Sequence, residues 1–243
     1  MKSEKFEKHN KNKIRTMMKN QDLQKISKKW FLKTYKYEYS YHFKWLGRPI
    51  IQYPQDIIAL QEIIWKIKPD LIIETGIARG GSLIFSASML ELIGKGSVIG
   101  VDIKIHSYNK KEIEKHVLFK RIKIFEGSSV DENIIKKITK IVKNKKKVIV
   151  ILDSNHTHEH VLKELELYSK FVSNNSYLVV FDTVIDDLPN NIFNNRPWSK
   201  TSNPKSAIRE FLKTNNKFVV DKEIDGKLLI TAAPEGYLKR IKK

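Results

Sequence analysis

The sequence contains no cysteine and no long apolar run, and both absences exclude classes of protein. Without cysteine the chain forms no disulfide, no thiolate metal centre and no cysteine nucleophile. No segment approaches the roughly 20 consecutive apolar residues that a membrane-spanning helix needs. The N-terminal stretch MKSEKFEKHNKNK is charged and lacks the apolar core of a secretory signal. The sequence therefore predicts a soluble, cytoplasmic protein.

Acidic residues are scarce relative to basic ones. The 243 residues include 46 Lys and Arg against 27 Asp and Glu, which gives a formal net charge of +19. Such an excess is compatible with nucleic acid, an anionic membrane surface or a phosphorylated substrate as partner. The excess is mostly lysine and is scattered along the chain, which favours a general compositional bias over a dedicated nucleic-acid surface.

Residues 1–50 are basic and aromatic, and they predict a helical N-terminal extension ahead of a domain at 51–243. The lysines and aromatic residues of KKWFLKTYKYEYSYHFKWLGRPI are compatible with contact to nucleic acid or to a membrane surface. Segments of this composition more often cover a core or form a contact between subunits. The sequence therefore leaves a homo-oligomer open.

Beyond Pro54, helix and strand patterns alternate. Buried strands separated by amphipathic helices predict a doubly wound, Rossmann-like α/β fold with a parallel sheet. Two final apolar runs predict a C-terminal antiparallel hairpin that turns at Asp225-Gly226, and a polar loop is predicted at 184–203. The predicted strands are 71–74, 97–102, 122–126, 147–152, 176–182, 217–220 and 227–232. The predicted helices are 82–93, 131–143, 158–172 and 204–214, preceded by a helical period that follows Pro54 and ends at Pro69.

The segment LIIETGIARGGS, residues 71–82, ends the first predicted strand in a glycine-rich turn. Ligands of such sheets bind beyond the carboxyl ends of the strands, where glycine lets the backbone approach and a helix N-terminus offers free N–H groups. The glycine spacing fits neither the G-x-G-x-x-G dinucleotide fingerprint nor a P-loop. An ordinary strand-to-helix turn is the alternative interpretation.

Polar residues follow the other predicted strands at the same edge of the sheet. Asp102 ends the second strand, where a carboxylate can accept hydrogen bonds from both hydroxyls of a ribose. Ser128 and Ser129 follow the third strand, and Asp153 and Asp182 end the fourth and fifth. Polar side chains at successive ends of an apolar sheet are costly unless they serve a site.

The motifs ETGIARGGS, GVDI, GSS, LDSNHTHEHVL, VVFDT and LLITAAPEGYLKR together resemble the cephalosporin hydroxylase family, which includes rhamnosyl O-methyltransferases. The resemblance covers residues 70–240 and implies a class I methyltransferase sheet that binds S-adenosyl-L-methionine (AdoMet) and a divalent metal. It implies O-methylation of a hydroxyl on a sugar or glycoconjugate. The cofactor-binding residues that it implies are Glu74, Gly76, Arg79, Gly80, Gly81, Ser82, Asp102, Ile103, Ser128, Ser129 and Asp153.

Two aspartates are the predicted metal ligands. Mg²⁺ prefers hard oxygen ligands, and Asp153 and Asp182 end adjacent strands. Catechol-type methyltransferases use an Asp followed by an Asp-Asn pair, so this resemblance adds Thr183 at the third position. Other members of the hydroxylase family carry Glu-Asp where this chain has Phe181-Asp182. The chain therefore lacks one of the acids that the family uses.

His156 is the predicted general base, and Asp153 beside it is the second predicted catalytic residue. Histidine accepts a proton near neutral pH, and catechol-type enzymes place a lysine base at the same offset. A zinc site at His156 and His160 is disfavoured because no third ligand is evident. Arg196 and Trp198, in the predicted loop, are candidates for contacts with the acceptor.

Two alternatives stay open at this point. The charge and the basic, aromatic N-terminus are compatible with an RNA methyltransferase. The incomplete metal motif is compatible with a catalytically degenerate methyltransferase-fold protein that acts as a scaffold.

Overall fold

A computed structural model describes residues 3–189, 192 and 195–241. Part of the predicted loop at 184–203, namely positions 190, 191, 193 and 194, lies outside the described residues. The strands are β1 (Lys44–Trp45), β2 (Arg48–Pro49), β3 (Leu71–Thr75), β4 (Ser97–Asp102), β5 (Ile122–Glu126), β6 (Val148–Leu152), β7 (Tyr177–Val180), β8 (Phe218–Val220) and β9 (Tyr237–Arg240).

Helices flank these strands along the whole described chain. The α-helices are α1 (Ser3–Met18), α2 (Gln21–Tyr35), α3 (Pro54–Ile67), α4 (Gly81–Ile93), α5 (Ser107–Glu114), α6 (Glu132–Val142), α7 (His158–Tyr168), α8 (Pro204–Thr214) and α9 (Lys222–Leu228). Short 3-10 helices cover Tyr39–His42, Val117–Arg121, Ser169–Phe171 and Thr183–Asp187. In this part of the chain no helix is both long and apolar enough to cross a bilayer.

The main sheet confirms the predicted doubly wound fold. Within the described residues it has seven strands in the order β5-β4-β3-β6-β7-β9-β8. Strands β3 to β7 are parallel, and β9 is antiparallel to both β7 and β8. The chain runs outward from β3 to β5 and then returns to β6 beside β3. The crevice beyond the carboxyl ends of β3 and β6 is therefore the switch point at which such sheets bind ligands.

The central strands are apolar on both faces, as expected of a covered parallel sheet. Ile72, Ile149 and Val179 lie in one apolar cluster with α3 and α4. The alternate residues Ile73 and Val150 lie in a second cluster with α6, α7 and α8. Because successive side chains of a strand point to opposite faces, each strand binds both helix layers to the sheet.

The C-terminal antiparallel pair is present, but the predicted position of its second strand is wrong. Residues 222–228 form α9, and the strand that pairs with β8 is β9. The Asp221 side chain caps α9 by accepting hydrogen bonds from the N–H groups of Glu223 and Ile224. Gly226 lies inside this helix. A Cβ at this position would lie 2.0 Å from the Met18 side chain, which explains why the residue is a glycine. It is a packing glycine that admits α1, and it does not form a turn.

The N-terminal segment packs onto the same core as the rest of the chain. Phe31 of α2 and Ile50 after β2 are buried in the apolar cluster of α3 and α4. The Phe31 ring stacks on Tyr53 with 4.9 Å between ring centroids. The segment therefore reaches the side of the sheet where the switch point opens.

Candidate functional site

A cavity of about 600 Å³ opens beyond the carboxyl ends of β3, β4, β6 and β7. Its size lies within the range of small-molecule and cofactor sites. The predicted site residues that line it are Gly76, Asp102, Ile103, Ser128, Ser129, Asp153, His156 and Asp182. The folded chain thus brings most of the predicted residues together around one space.

The glycine-rich turn after β3 shapes one wall of this cavity. Its backbone has positive φ at Gly76 (86°), Ala78 (45°) and Gly80 (82°). A Cβ on Gly76 would lie 1.9 Å from the Asp153 carbonyl oxygen, so only glycine lets the turn pack against the end of β6. The turn and Asp153 consequently share the cavity wall.

Asp102 is held by the same turn. Its Oδ2 accepts hydrogen bonds from the N–H groups of Ile77 at 2.8 Å and Ala78 at 3.2 Å, and its Oδ1 accepts one from Lys104 at 3.2 Å. Successive backbone N–H groups in a turn of this kind form a concave surface that binds anions. The carboxylate is therefore fixed in orientation at the cavity wall, and its role in ribose binding stays a prediction.

The other residues predicted from the turn do not line the cavity. The exposed Arg79 accepts hydrogen bonds from Arg48 through its carbonyl oxygen. A Cβ on Gly80 would meet Ile113, and one on Gly81 would meet the Pro49 carbonyl oxygen at 2.2 Å. These glycines admit α5 and the end of β2, so the structure gives them packing roles.

The buried Glu74 and the half-buried Ser82 form a pair that does not line the main cavity. The Ser82 hydroxyl donates to Glu74 Oε1, while Glu74 Oε2 has no hydrogen-bond partner among the described residues. Burial raises the pKa of Glu74 to about 7, and the hydrogen bond from Ser82 only partly offsets this. A small secondary cavity joins Glu74, Ser82 and Gln52 to Asp153. The predicted contact of Glu74 with the cofactor stays a prediction.

Asp153, His156 and Asp182 form the cluster best suited to hold a metal. One ligand atom from each lies within 4.8 Å of the others. The His156 Nε2 is 3.1 Å from Asp182 Oδ2. Asp182 has a left-handed backbone with φ of 54°, a conformation that is uncommon for residues other than glycine and often occurs at functional sites.

Thr183 is the exception among the predicted ligands. It is fully buried, it does not line the cavity, and its hydroxyl donates to the Pro234 carbonyl oxygen at 2.7 Å. The third side chain that the structure brings close to Asp153 and Asp182 is His156. Phe181, at the position where the family has an acid, is buried in the apolar core.

The cluster lies in a strongly acidic environment despite the basic charge of the chain. Burial, followed by the carboxylates of Asp182, Glu74, Glu164 and Asp56, raises the pKa of Asp153 well above its ordinary value. Like charges this close disfavour ionisation unless a cation is present. The donor set and its charge therefore fit a hard divalent cation.

Gln52 is a site residue that sequence reasoning missed. It is buried, it lines the cavity, and its Nε2 donates to Asp153 Oδ2 at 3.0 Å. Its own Oε1 has no partner among the described residues. No motif marks Gln52, because 101 positions of sequence separate it from Asp153 and only folding brings them together.

His156 also contacts the predicted acceptor loop. The edge of its ring meets Trp198, with ring centroids 4.8 Å apart. The Arg196 guanidinium lies over the Trp198 ring, 5.3 Å from its centroid. His156, Arg196 and Trp198 all line the cavity, so the predicted loop contributes to the cavity wall beside the histidine.

His160 belongs to a separate polar network near the predicted adenine position. Its Nε2 is 3.0 Å from Ser129 Oγ and 3.3 Å from Ser154 Oγ. Ser154 in turn donates to the fully buried Glu164 at 2.8 Å. His160 therefore orients cavity-lining hydroxyls, and it does not pair with His156 as a zinc site would require.

Aromatic residues of the N-terminal segment complete the cavity, which the sequence did not reveal. The cavity lining contains Phe31, Tyr35, Tyr39, Tyr41 and Tyr53. The aromatic content was visible in the sequence, but only the folded chain, in which Phe31 stacks on Tyr53, places it at the cavity.

Sequence comparisons identify relatives of this chain. The family model described as Rhamnosyl O-methyltransferase/CmcI matches residues 37–241. A curated rhamnosyl O-methyltransferase of Mycobacterium tuberculosis (strain ATCC 25618 / H37Rv) is 33% identical over 192 residues, which cover 76% of this chain and 73% of the relative.

Structural comparisons agree on the fold. The solved apo structure of CmcI-N160 has a TM-score of 0.59 at 16% identity, covering 84% of this chain and 78% of that one. The structure of CmcI-D160 with Mg and SAM has a TM-score of 0.55 at 16% identity, covering 83% and 78%.

Proposed function

This chain belongs to the Rhamnosyl O-methyltransferase/CmcI family, and on that premise we propose that it methylates a hydroxyl of a sugar or glycoconjugate with the help of a divalent cation. Family membership makes it an AdoMet-dependent O-methyltransferase. The sugar acceptor and the use of a cation are the proposed part, and they extend what the names of the relatives describe.

The observation that carries the proposal is the convergence of Asp102, Asp153 and Asp182 on one cavity. When bound, AdoMet supplies the methyl group and a divalent cation lowers the pKa of an oxygen acid. The sulfonium group of AdoMet and the divalent cation are both positively charged, and the acidic cluster around Asp153 would attract both. An acidic cavity in a chain of charge +19 is otherwise unexplained.

Each residue of the site then has a separate role in this proposal. Asp102 binds the ribose, and the hydroxyls of Ser128 and Ser129 lie by the adenine. Asp153 and Asp182 hold the cation. His156 accepts the proton of the acceptor hydroxyl, and Asp182, 3.1 Å from its Nε2, stabilises the charge that the ring gains. Holding acceptor and cofactor in line removes much of the entropic barrier.

Trp198 and Arg196 support a sugar acceptor. An indole face suits the C–H surface of a pyranose ring, and Trp198 lies directly beside His156. Arg196, stacked on Trp198, offers hydrogen-bond donors to ring hydroxyls or to an acidic substituent. The acceptor hydroxyl would thus be presented to the base.

The test is methyl transfer from isotope-labelled AdoMet to a panel of rhamnosides and other glycosides, with and without EDTA. We expect label in a sugar ether and its loss on chelation, with recovery when Mg²⁺ is restored. Transfer to RNA and to no glycoside would contradict the proposal. Methyl transfer to a sugar that persists in EDTA would contradict only the proposed role of the cation.

Asp102→Asn is expected to weaken AdoMet binding by about tenfold or more, because a hydrogen bond to a charged group contributes roughly 1.5–3 kcal/mol. The variant keeps the shape of the side chain, and calorimetric titration of AdoMet measures the effect. Asp131→Asn, at the N-cap of α6, is the matched control and should leave the affinity unchanged. Unaltered affinity in a folded Asp102→Asn protein would remove Asp102 from the ribose role.

A further inference from the structure

A row of lysines runs along the outer face of α2. Residues 21–36 contain five lysines and a single acidic residue, Asp22. Lys25, Lys29 and Lys33 recur at four-residue spacing, which places them on one face of a helix. All three are exposed, and none forms an ion pair with another described residue.

The opposite face of α2 is fixed to the protein. Ser27 and Phe31 are buried, and Phe31 stacks on Tyr53. Because the inner face of α2 is packed against the protein, the three lysines on the opposite face point to solvent. The row is therefore a fixed surface of the fold and not a mobile tail.

Apolar side chains flank the lysine row. Ile26 is 63% exposed and Tyr37, just past the helix end, is 64% exposed. Exposed apolar groups beside a row of lysines are typical of helices that lie in the interface of an anionic bilayer. Tyr37 offers a nucleic-acid base one stacking surface, whereas the aliphatic Ile26 offers none and suits the boundary of a bilayer better.

The lysine row also lies next to the cavity entrance. Tyr35, Glu38 and Tyr41 follow it in the chain, are exposed to solvent, and line the cavity. The C-terminal end of the row is therefore close along the chain to residues of the cavity lining.

We infer that α2 is a docking surface for anionic phospholipid, with the lysine row paired to headgroups and Ile26 and Tyr37 inserted between them. Charge complementarity carries this choice of partner, since each lysine near an anionic membrane surface contributes attraction that decays within a Debye length. This goes beyond the methyl-transfer chemistry and does not depend on it.

The test is co-sedimentation of the full chain with vesicles, without AdoMet. We expect binding to vesicles of phosphatidylglycerol and phosphatidylcholine, little binding to phosphatidylcholine alone, and release at high salt. The triple variant Lys25→Gln, Lys29→Gln, Lys33→Gln should bind at least about tenfold more weakly. A second variant, Ile26→Ser, should weaken binding without changing its salt dependence.

The matched control removes the same charge from another helix. Lys136→Gln, Lys140→Gln, Lys143→Gln alters three exposed lysines on and just after α6, with similar spacing. It should retain vesicle binding within about twofold, whereas equal losses in both triple variants would show a general charge effect and overturn the inference. Binding of single-stranded RNA that depends on the α2 lysines, with no vesicle binding, would overturn it in favour of nucleic acid.

Discussion

Replacing Asp153 by asparagine is expected to abolish divalent-cation binding and to lower kcat by about 100- to 1,000-fold, because a metal that polarises an oxygen contributes several kcal/mol to the transition state. Asp153 is the member of the cluster with contacts to several parts of the site. It meets Gln52 directly, it packs its carbonyl against Gly76, and it lies among four further carboxylates.

Two measurements separate this role from a structural one. Calorimetric titration with Mg²⁺ and with Mn²⁺ should show binding to the native chain and none to the variant, while circular dichroism should show an unchanged fold. Asp131→Asn serves again as the control for a lost carboxylate. A folded Asp153→Asn protein that binds the cation normally would remove Asp153 from the ligands.

His156→Ala should lower kcat by about 100-fold or more while the Kd for AdoMet changes little, because general base catalysis typically contributes factors of 10² to 10⁴. Asp182 orients the ring from 3.1 Å and Trp198 packs against its edge, so the imidazole is held in one position. Added imidazole should restore part of the activity, since the alanine leaves room beside Trp198.

His158→Ala is the control for His156. That histidine lies two residues further along, bonds to Ser206 and Glu210, and does not line the cavity. It should leave kcat nearly unchanged. In His156→Ala, weaker AdoMet binding without a fall in kcat would indicate a structural role for His156. If His156→Ala lost as much cation affinity as Asp153→Asn, His156 would be a metal ligand, which the geometry of the cluster also allows.

Much of the fold could be predicted because it depends on local patterns. The apolar runs of β3, β4, β5 and β6 begin and end within one residue of their predicted positions, and α8 matches 204–214. The failure at 227–232 has a cause that lies outside the local sequence. Asp225-Gly226 reads as a turn in the sequence, but the glycine is required by the contact of α9 with Met18, which no local pattern contains.

The candidate site divides in the same way. Residues at strand ends could be placed, because parallel strands carry their carboxyl ends to one edge, and Asp102, Asp153 and Asp182 indeed share a cavity. The glycine turn was located correctly, but the separate roles of its glycines were not visible. Gly76 faces the cavity wall, whereas Gly80 and Gly81 admit Ile113 and Pro49.

By itself, the sequence determined the positions of the central parallel strands, the edge of the sheet that carries the polar residues, and the resemblance that led to the family. Periodicity and strand-end chemistry are properties of neighbouring residues, so they can be read directly. Only the tertiary structure decided that Gln52 meets Asp153, that Thr183 turns away to Pro234, and that the N-terminal aromatic residues close the cavity. Those contacts join residues far apart in the chain, and their geometry exists only once the sheet and both helix layers have packed together.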